Sequence, residues 1–309
     1  MPAEGTSQRA VDSTGSGSLR LEHVPCNLCG SGSSVLVHSK DGFRIVRCEE
    51  CGLTYVNPRL CSEALVSQYE EGYFFAGSYA DYLGERKGLE KTFEQRLEKI
   101  EKLAAPGRVL DLGCAFGFFL SVAQGRGWDA YGVDLSPFAC RYAREQVGVQ
   151  VIDGTLRDGG FDDAFFDVVV MNDVFEHLPD PSAELAEVHR VLRAGGFLFI
   201  VTQDVSSAIV RVLGSRWAQY KPREHLYYFT PATLKLILEK SGFEVVQIRS
   251  DGLTCTAKFL LGKLQKVNRT LGTFGDRLAG RLGLQDVLIP VRTGYEVMVC
   301  ARKKEREAQ

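Results

Sequence analysis

The sequence predicts an α/β protein, a doubly wound sheet of seven strands with a small cysteine ribbon on its N-terminal side. Three observations carry that reading. From residue 106 onward, short apolar runs bounded by turn residues alternate with segments of helical period, the pattern of a sheet covered by helices on both faces. The first run ends in an acid and two glycines, in the stretch Val109-Leu-Asp-Leu-Gly-Cys-Ala-Phe-Gly117. Upstream, Cys26-Asn-Leu-Cys29-Gly30 and Cys48-Glu-Glu-Cys51-Gly52 repeat one knuckle with eighteen residues between them.

The glycine stretch organises the rest. Gly113 and Gly117 let the backbone turn sharply and approach a ligand, and the helix opening near Gly117 leaves unpaired N–H groups facing it. Asp111 stands where the dinucleotide pattern G-x-G-x-x-G has its first glycine. A carboxylate there repels a pyrophosphate and suits a cationic amino-acid end, so the cradle favours a zwitterion such as the methionine part of S-adenosylmethionine. The stretch resembles motif I of class I S-adenosylmethionine-dependent methyltransferases, and later stretches follow in that family's order over roughly 73–302. The resemblance implies a Rossmann-like sheet, S-adenosylmethionine as cofactor, and contacts to it from Asp111, Gly113, Cys114 and Gly117.

At 309 residues and 45% apolar content, the chain can build one large domain with an appendage. A formal charge of −2 provides no global attraction for nucleic acid or anionic membrane. No apolar run approaches membrane-spanning length and no hydrophobic signal core opens the chain, so a cytoplasmic protein is expected. Nine cysteines in a chain of this size point to metal ligation and reduced thiols rather than to a disulfide framework.

Residues 1–20, rich in Ser, Gly and Thr without apolar periodicity, are expected to be a disordered tail. The ribbon is expected over 21–60. Each C-x-x-C turn presents two thiolates and two turns complete a tetrahedron, so Cys26, Cys29, Cys48 and Cys51 are assigned to a structural zinc ion. Cys61 is then a free thiol and His38 a surface histidine. A helical linker is expected over 61–105, where Phe93, Leu97, Ile100 and Ala104 recur at helical spacing until Pro106-Gly107 stops the helix. Tyr73 and Tyr79 in this linker stand where related methyltransferases lay aromatics over the cofactor; core packing is the alternative.

The methyltransferase-like domain is expected over 106–309. Ala130-Tyr-Gly-Val-Asp134 is a second strand ending in an acid, followed by Leu135, assigned to the cofactor, and by Ser136-Pro137, an N-cap with a first-turn proline. The resemblance implies that Asp134 takes both ribose hydroxyls, and a carboxylate can accept both bonds of a diol. A third strand runs into Asp153-Gly154-Thr155, where the family's usual aspartate after the glycine is Thr155; Asp153 or Thr155 faces the adenine amine. The fourth strand leads into Asn172-Asp173-Val-Phe-Glu176-His177, and in a doubly wound sheet that segment lines the ligand crevice. Asn172 is assigned to the cofactor. Asp173-Val-Phe-Glu176-His177 resembles the E-x-x-E-H of ubiquinone-pathway O-methyltransferases, whose side chains are linked to a divalent metal. For His177 the readings are ligation of a metal such as Mg²⁺, or an acid–base or structural role.

The stretch Glu224-His225-Leu-Tyr227-Tyr228-Phe229 precedes a helix over 231–240 and resembles the Glu-His segment of nucleotide-sugar C-methyltransferases, which also carry an N-terminal zinc-binding domain. His225 ranks first as base, with Glu224 as its orienting partner and His177 as the competitor. A histidine beside a carboxylate titrates near neutrality and can take a proton from a hydroxyl or an acidified carbon. Further strands are expected at 197–202, 243–249 and 295–301, with an insertion at about 253–292 whose Leu260, Leu264, Val267, Leu271, Phe274 and Leu278 follow helical spacing. From 258 to 309, eleven Lys/Arg against five Asp/Glu give +6. Such a basic amphipathic segment lies on an anionic membrane, clasps a substrate, or forms a lid against the domain or a second subunit.

The chain therefore reads as a methyltransferase for a small-molecule acceptor, by O- or C-methylation of a sugar nucleotide, glycan, phenol or lipid metabolite. An rRNA methyltransferase is the alternative enzyme. Nucleic acid is disfavoured because Glu49, Glu50, Glu63, Glu70 and Glu71 around the ribbon oppose a phosphate backbone. A non-catalytic module that binds the cofactor or a protein is the alternative from another class.

Overall fold

The computed structural model describes residues 9–10, 19–66 and 82–304. Tyr73 and Tyr79 lie outside the described residues. Within the expected tail, strand β1 (Arg9–Ala10) pairs antiparallel with β2 (Leu19–Glu22), and β2 continues onto β6 (Arg59–Leu60). Between them the knuckles flank β3 (Ser34–Lys40), β4 (Phe43–Cys48) and β5 (Thr54–Val56), an antiparallel meander. Helices α1 (Ser62–Val66) and α2 (Arg86–Ile100) follow, and α2 buries Phe93, Leu97 and Ile100 as their spacing predicts.

The large sheet is built from β7 (Arg108–Leu112), α3 (Phe118–Gly125), β8 (Asp129–Asp134), α4 (Pro137–Tyr142), β9 (Gln150–Asp153), β10 (Phe166–Asn172), α5 (Pro181–Val191) and β11 (Leu192–Gln203). Then come α6 (Ala208–Leu213), β12 (Tyr227–Tyr228), α7 (Pro231–Lys240) and β13 (Phe243–Ser250). The insertion comprises β14 (Leu253–Thr256), α8 (Ala257–Val267), α9 (Arg269–Leu282) and β15 (Leu288–Val291), before β16 (Glu296–Lys303) closes the chain. Strand order is β13-β16-β11-β10-β7-β8-β9, seven strands as expected. Strands β11 to β9 run parallel, while β16 is antiparallel to both neighbours. The order reverses between β7 and β10, so the carboxyl ends of these two strands diverge to either side of a crevice.

Local sequence sets the helix starts. Ser136, Asp180 and Thr230 each accept a hydrogen bond from the backbone N–H three residues on, and each is followed by a proline in the first turn of α4, α5 or α7. The buried strand β10 alternates its faces: Val168 and Val170 join the core under α2 and α3, whereas Val169 and Met171 join the core on the other side, with α5 and α7.

That second core also contains Phe43, Ile45, Leu53 and Tyr55 of the ribbon. The ribbon is thus built into the body rather than tethered beside it. Tyr227 and Tyr228 of β12 pair with Tyr55 and Thr54 of β5, extending the ribbon's sheet with a strand from the large domain. The buried Arg59 donates to the Pro179 carbonyl at 2.7 Å and to the Tyr227 hydroxyl at 3.1 Å, and Lys240 donates to the Leu28 carbonyl at 3.0 Å. Among the described residues, no helix is long and apolar enough to cross a membrane.

Candidate active site

The carboxyl ends of β7, β8 and β10 open into one cavity of about 660 Å³, lined among others by Asp111, Gly113, Asp134, Asn172, His177 and His225. Residues that lie far apart in the sequence thus meet around a single space. At its base, Gly113 adopts φ +76°, and a Cβ there would stand 2.4 Å from Val174 Cγ2. Only glycine fits that turn. Gly117 does not line the cavity; at φ +75° it caps α3, and a Cβ would meet Val149 at 2.6 Å. Cys114, buried, forms part of the wall.

Asp111 is 3% exposed and accepts from Asn172 Nδ2 at 3.4 Å, across the switch point between β7 and β10. Burial pushes its carboxyl up to about 8, and the Asn172 amide and the charge of Arg96 offset that only in part. An ammonium group bound there would add a cation in direct contact. On the other side of Asn172, the buried Arg96 donates to Asn172 Oδ1 at 3.0 Å and pairs with Asp251 at 2.9 Å and Asp173 at 3.6 Å.

Asp134 accepts backbone hydrogen bonds from Ala115 at 2.8 Å and Ser136 at 2.9 Å. It therefore ties the glycine turn to the end of β8, and the cap of α4 is Ser136, not Asp134. Burial raises its carboxyl while these two N–H groups pull it back down. Leu135 and Thr155 line the cavity beside it. Asp153 is exposed and does not line the cavity, and both the N–H and the hydroxyl of Thr155 donate to Asp158 Oδ2, at 2.7 and 2.6 Å. Of the two adenine candidates, only Thr155 is in place, and its hydroxyl proton is already engaged.

Beyond Asn172, the 3₁₀ turn Phe175–His177 and the loop before β12 are joined by the Leu226 N–H donating to the Glu176 carbonyl at 2.8 Å. This brings the His177 and His225 rings edge to face, with centroids 4.7 Å apart. Nδ1 of each ring is buried without a hydrogen-bond partner, while a ring N–H of His225 faces the Gln219 carbonyl and one of His177 the Glu224 carbonyl. Burial, and for His225 the neighbouring His177, push both below the ordinary histidine range, His177 to about 4. The expectation of a histidine titrating near neutrality beside Glu224 is corrected here. The Glu224 carboxylate lies 3.7 Å from Lys221, and the neighbour of His225 is an imidazole.

The metal reading of Asp173, Glu176 and His177 was the other expectation. Glu176, His177 and His225 place ligand atoms within 4.8 Å of one another, but Asp173 is not among them and pairs with Arg96 instead. The Glu176 carboxylate is taken by Thr202 Oγ1 at 2.8 Å and Gln203 Nε2 at 3.0 Å. Two imidazoles and one engaged carboxylate do not fit Mg²⁺, which asks for an octahedron of oxygens. In the ribbon the four predicted cysteines converge: Cys26 and Cys51 stand 3.4 Å apart, Cys29 and Cys48 3.5 Å, all as free thiols. A tetrahedron with metal–sulfur bonds of about 2.3 Å has edges near 3.8 Å, so the set fits zinc after a small expansion. His38 is not a donor to it and packs edge-on against Tyr220.

A family model described as a methyltransferase domain matches residues 85–248, more than half of the chain. The chain belongs to this methyltransferase family. A malonyl-[acyl-carrier protein] O-methyltransferase of Serratia marcescens is 28% identical over 182 residues, covering 59% of this chain and 68% of that one. A ubiquinone biosynthesis O-methyltransferase of Thiobacillus denitrificans is 27% identical over 179 residues, covering 53% and 77%. In structure, a SAM-dependent methyltransferase of Archaeoglobus fulgidus superposes with a TM-score of 0.50 at 21% identity, over 74% of this chain and 100% of that one. S-adenosylmethionine is thus the cofactor, and the methyltransferase sheet is the Rossmann-like one expected. Two residues of the methyltransferase cavity were missed by the sequence reading. Arg96 sits on the buried face of α2, and Tyr82, stacked on Phe118 with centroids 5.9 Å apart, lines the cavity.

Proposed function

We propose that this methyltransferase methylates a hydroxyl of a small-molecule acceptor, with His225 as general base and a structural zinc ion in the ribbon. The single observation that supports a histidine base is the buried, unpartnered Nδ1 of His225 in the cavity that also holds the cofactor cradle, a feature its competitor His177 shares. Support for oxygen as the acceptor atom comes from the two relatives above, both named O-methyltransferases, one for malonyl-[acyl-carrier protein] and one for ubiquinone biosynthesis.

Asp134 would hold the ribose, Asp111 and Asn172 the amino-acid end, and Leu135 and Thr155 the adenine side. When bound, the cofactor supplies a methyl group on a sulfonium, an electrophile with its leaving group already made. The chain's part is then orientation and one proton. His225 Nδ1 would take the proton of the acceptor hydroxyl as its oxygen turns nucleophile toward that methyl group, and the imidazolium would later return the proton to water. A base held below its ordinary range stays unprotonated at neutral pH. Transfer of label from S-adenosylmethionine to phenolic, glycan and acyl-carrier-bound acceptors, with RNA in parallel, tests the reading. Label in a small-molecule hydroxyl is expected; label in RNA alone, or cofactor binding without transfer to any of them, would overturn it.

A further inference from the structure

The insertion, for which a lid packed on the domain is one of the three readings, leaves much of its apolar stripe exposed. Helices α8 and α9 form a hairpin with Asn268 as C-cap of the first and N-cap of the second. They cross closely through Gly272 and Gly275, where a Cβ would stand 2.4 Å from Gln265 N and 2.7 Å from Leu261 Cδ2. The pair is pinned to the body by β14 and β15 and by Lys87 with Asp286 at 2.5 Å. Along α9, Leu271, Phe274, Leu278 and Leu282 form one row at helical spacing, all exposed, Phe274 at 67%, and Val267, the last residue of α8, is 87% exposed at the turn that precedes them. Isolated exposed apolar residues need no explanation; a row of four with a fifth at the adjoining turn does.

The charge of the hairpin is as one-sided as its apolarity. Residues 257–292 carry seven Lys/Arg and two Asp/Glu in a chain whose net charge is −2. Lys266, Arg269, Arg277 and Arg281 flank the apolar row, while the two acids are turned to other work: Asp276 accepts from Gln285 at 2.9 Å and Asp286 pairs with Lys87. Long basic side chains beside an apolar stripe can keep their charges at a headgroup layer while the stripe enters the acyl boundary.

We infer that this hairpin docks the enzyme on an anionic bilayer surface. A second copy of the chain is disfavoured by the charge, since a twofold contact through this face sets the same cationic patch against itself. A nucleic acid would use the basic residues and leave the apolar row in water. The placement also connects with the cavity. Leu253, Thr254 and Cys255 of β14, and Phe259 and Lys263 of α8, line the same space as the cofactor cradle, so the element that docks also supplies part of that cavity's wall.

Flotation of the full chain with phosphatidylcholine vesicles, with and without phosphatidylglycerol, at low and high salt, is the test. Binding is expected to need the anionic lipid and to fall at least about tenfold in high salt or on Arg277→Glu with Arg281→Glu, since each basic residue near such a surface contributes a few-fold. Phe274→Asp with Val267→Asp should abolish it with an unchanged circular dichroism spectrum, these side chains being exposed. Absence of binding, equal binding to neutral vesicles, or full binding by the Phe274→Asp, Val267→Asp protein would overturn the inference. So would a dimer in light scattering that the same substitutions disperse without any vesicle binding. The salt and lipid dependence of the unmodified chain decides the matter even if a variant fails to fold. No turnover is measured, so failure here leaves methyl transfer untouched.

Discussion

His177 and His225 stand edge to face at 4.7 Å, one leaving the end of a central strand and the other in the loop before β12, and burial, for His225 joined by the neighbouring His177, keeps both from carrying a proton. Two imidazolium ions at that distance would repel in a place with little water to screen them. The neutral pair therefore persists well below neutrality, and the base needs no rise in pH to be ready. Turnover should be level from about pH 6.5 upward and fall only on the acid side, below the ordinary histidine pKa of about 6.5. His225→Ala should lower turnover by roughly 10² to 10⁴ with S-adenosylmethionine affinity little changed, because proton removal belongs to the transition state. Initial rates across pH with parallel calorimetry check both. A variant with near-normal turnover, or activity lost to a chelator and restored by Mg²⁺, would remove His225 from the role.

The same burial predicts an acid weakness. His177 is pushed down to about 4 in the fold, against about 6.5 when unfolded, so above pH 6.5 neither state is protonated and its contribution to stability is fully present. As pH falls from about 6.5 toward 4, the unfolded chain takes up a proton that the folded one refuses. Stability drops over that window by on the order of 1–3 kcal/mol. Asp111 and Glu176, both pushed up to about 8, have the opposite sign: what they contribute is largest at low pH and is lost as pH rises through 8. Only a difference isolates the histidine. Urea midpoints at pH 7 and pH 5 for the native chain and His177→Asn should show a smaller pH loss in the variant; equal losses would place the acid weakness elsewhere.

Much of this was legible because it is local. An apolar run ending in Asp111 or Asp134 announces a parallel strand with a carboxylate at its ligand end, and Thr230-Pro231 announces the helix that follows it. What was missed depends on partners distant in sequence. The two-residue strand Tyr227–Tyr228 carries no pattern of its own, and its pairing with β5 is what fuses ribbon and body. Arg96 lies on the buried face of α2 with Phe93 and Ile100, a position a periodicity reading assigns to apolar residues, and its partners Asp251 and Asp173 arrive from elsewhere. Adjacency misled at Glu224-His225, since neighbouring residues need not aim their side chains at one place. Helical spacing revealed the stripe at 260–278 but could not say whether protein or solvent faces it.

The converging thiols of Cys26, Cys29, Cys48 and Cys51 predict about one zinc per chain by elemental analysis. Because the ribbon shares its core with the large sheet, metal loss should not stay local. Cys48→Ala, which leaves three thiolates around the ion, is expected to abolish stoichiometric zinc and lower the melting midpoint of the whole chain in one transition. Two separate melting transitions would show that the ribbon folds independently of the body, and a folded chain without zinc would refute the site.

Asp134 offers the sharpest test of the cofactor geometry, and it needs care because the carboxylate has two tasks. It binds the N–H groups of Ala115 and Ser136, so Asp134→Ala should cost stability as well as affinity, and a simple loss of binding would not distinguish a ribose partner from a scaffold. A thermodynamic cycle separates them. The native protein should bind S-adenosylhomocysteine more tightly than its 2′-deoxy analogue, since the 2′-hydroxyl's bond to a charged acceptor contributes on the order of 1.5–3 kcal/mol, roughly ten- to more than hundredfold in affinity. In Asp134→Asn, which retains the side chain's shape, both ligands should bind weakly and the preference between them should shrink toward unity. A scaffold role predicts something else: both affinities fall in parallel and the preference survives. Calorimetry with the two ligands on the two proteins gives the four numbers required, and a preference unchanged by the substitution would move the ribose to another partner.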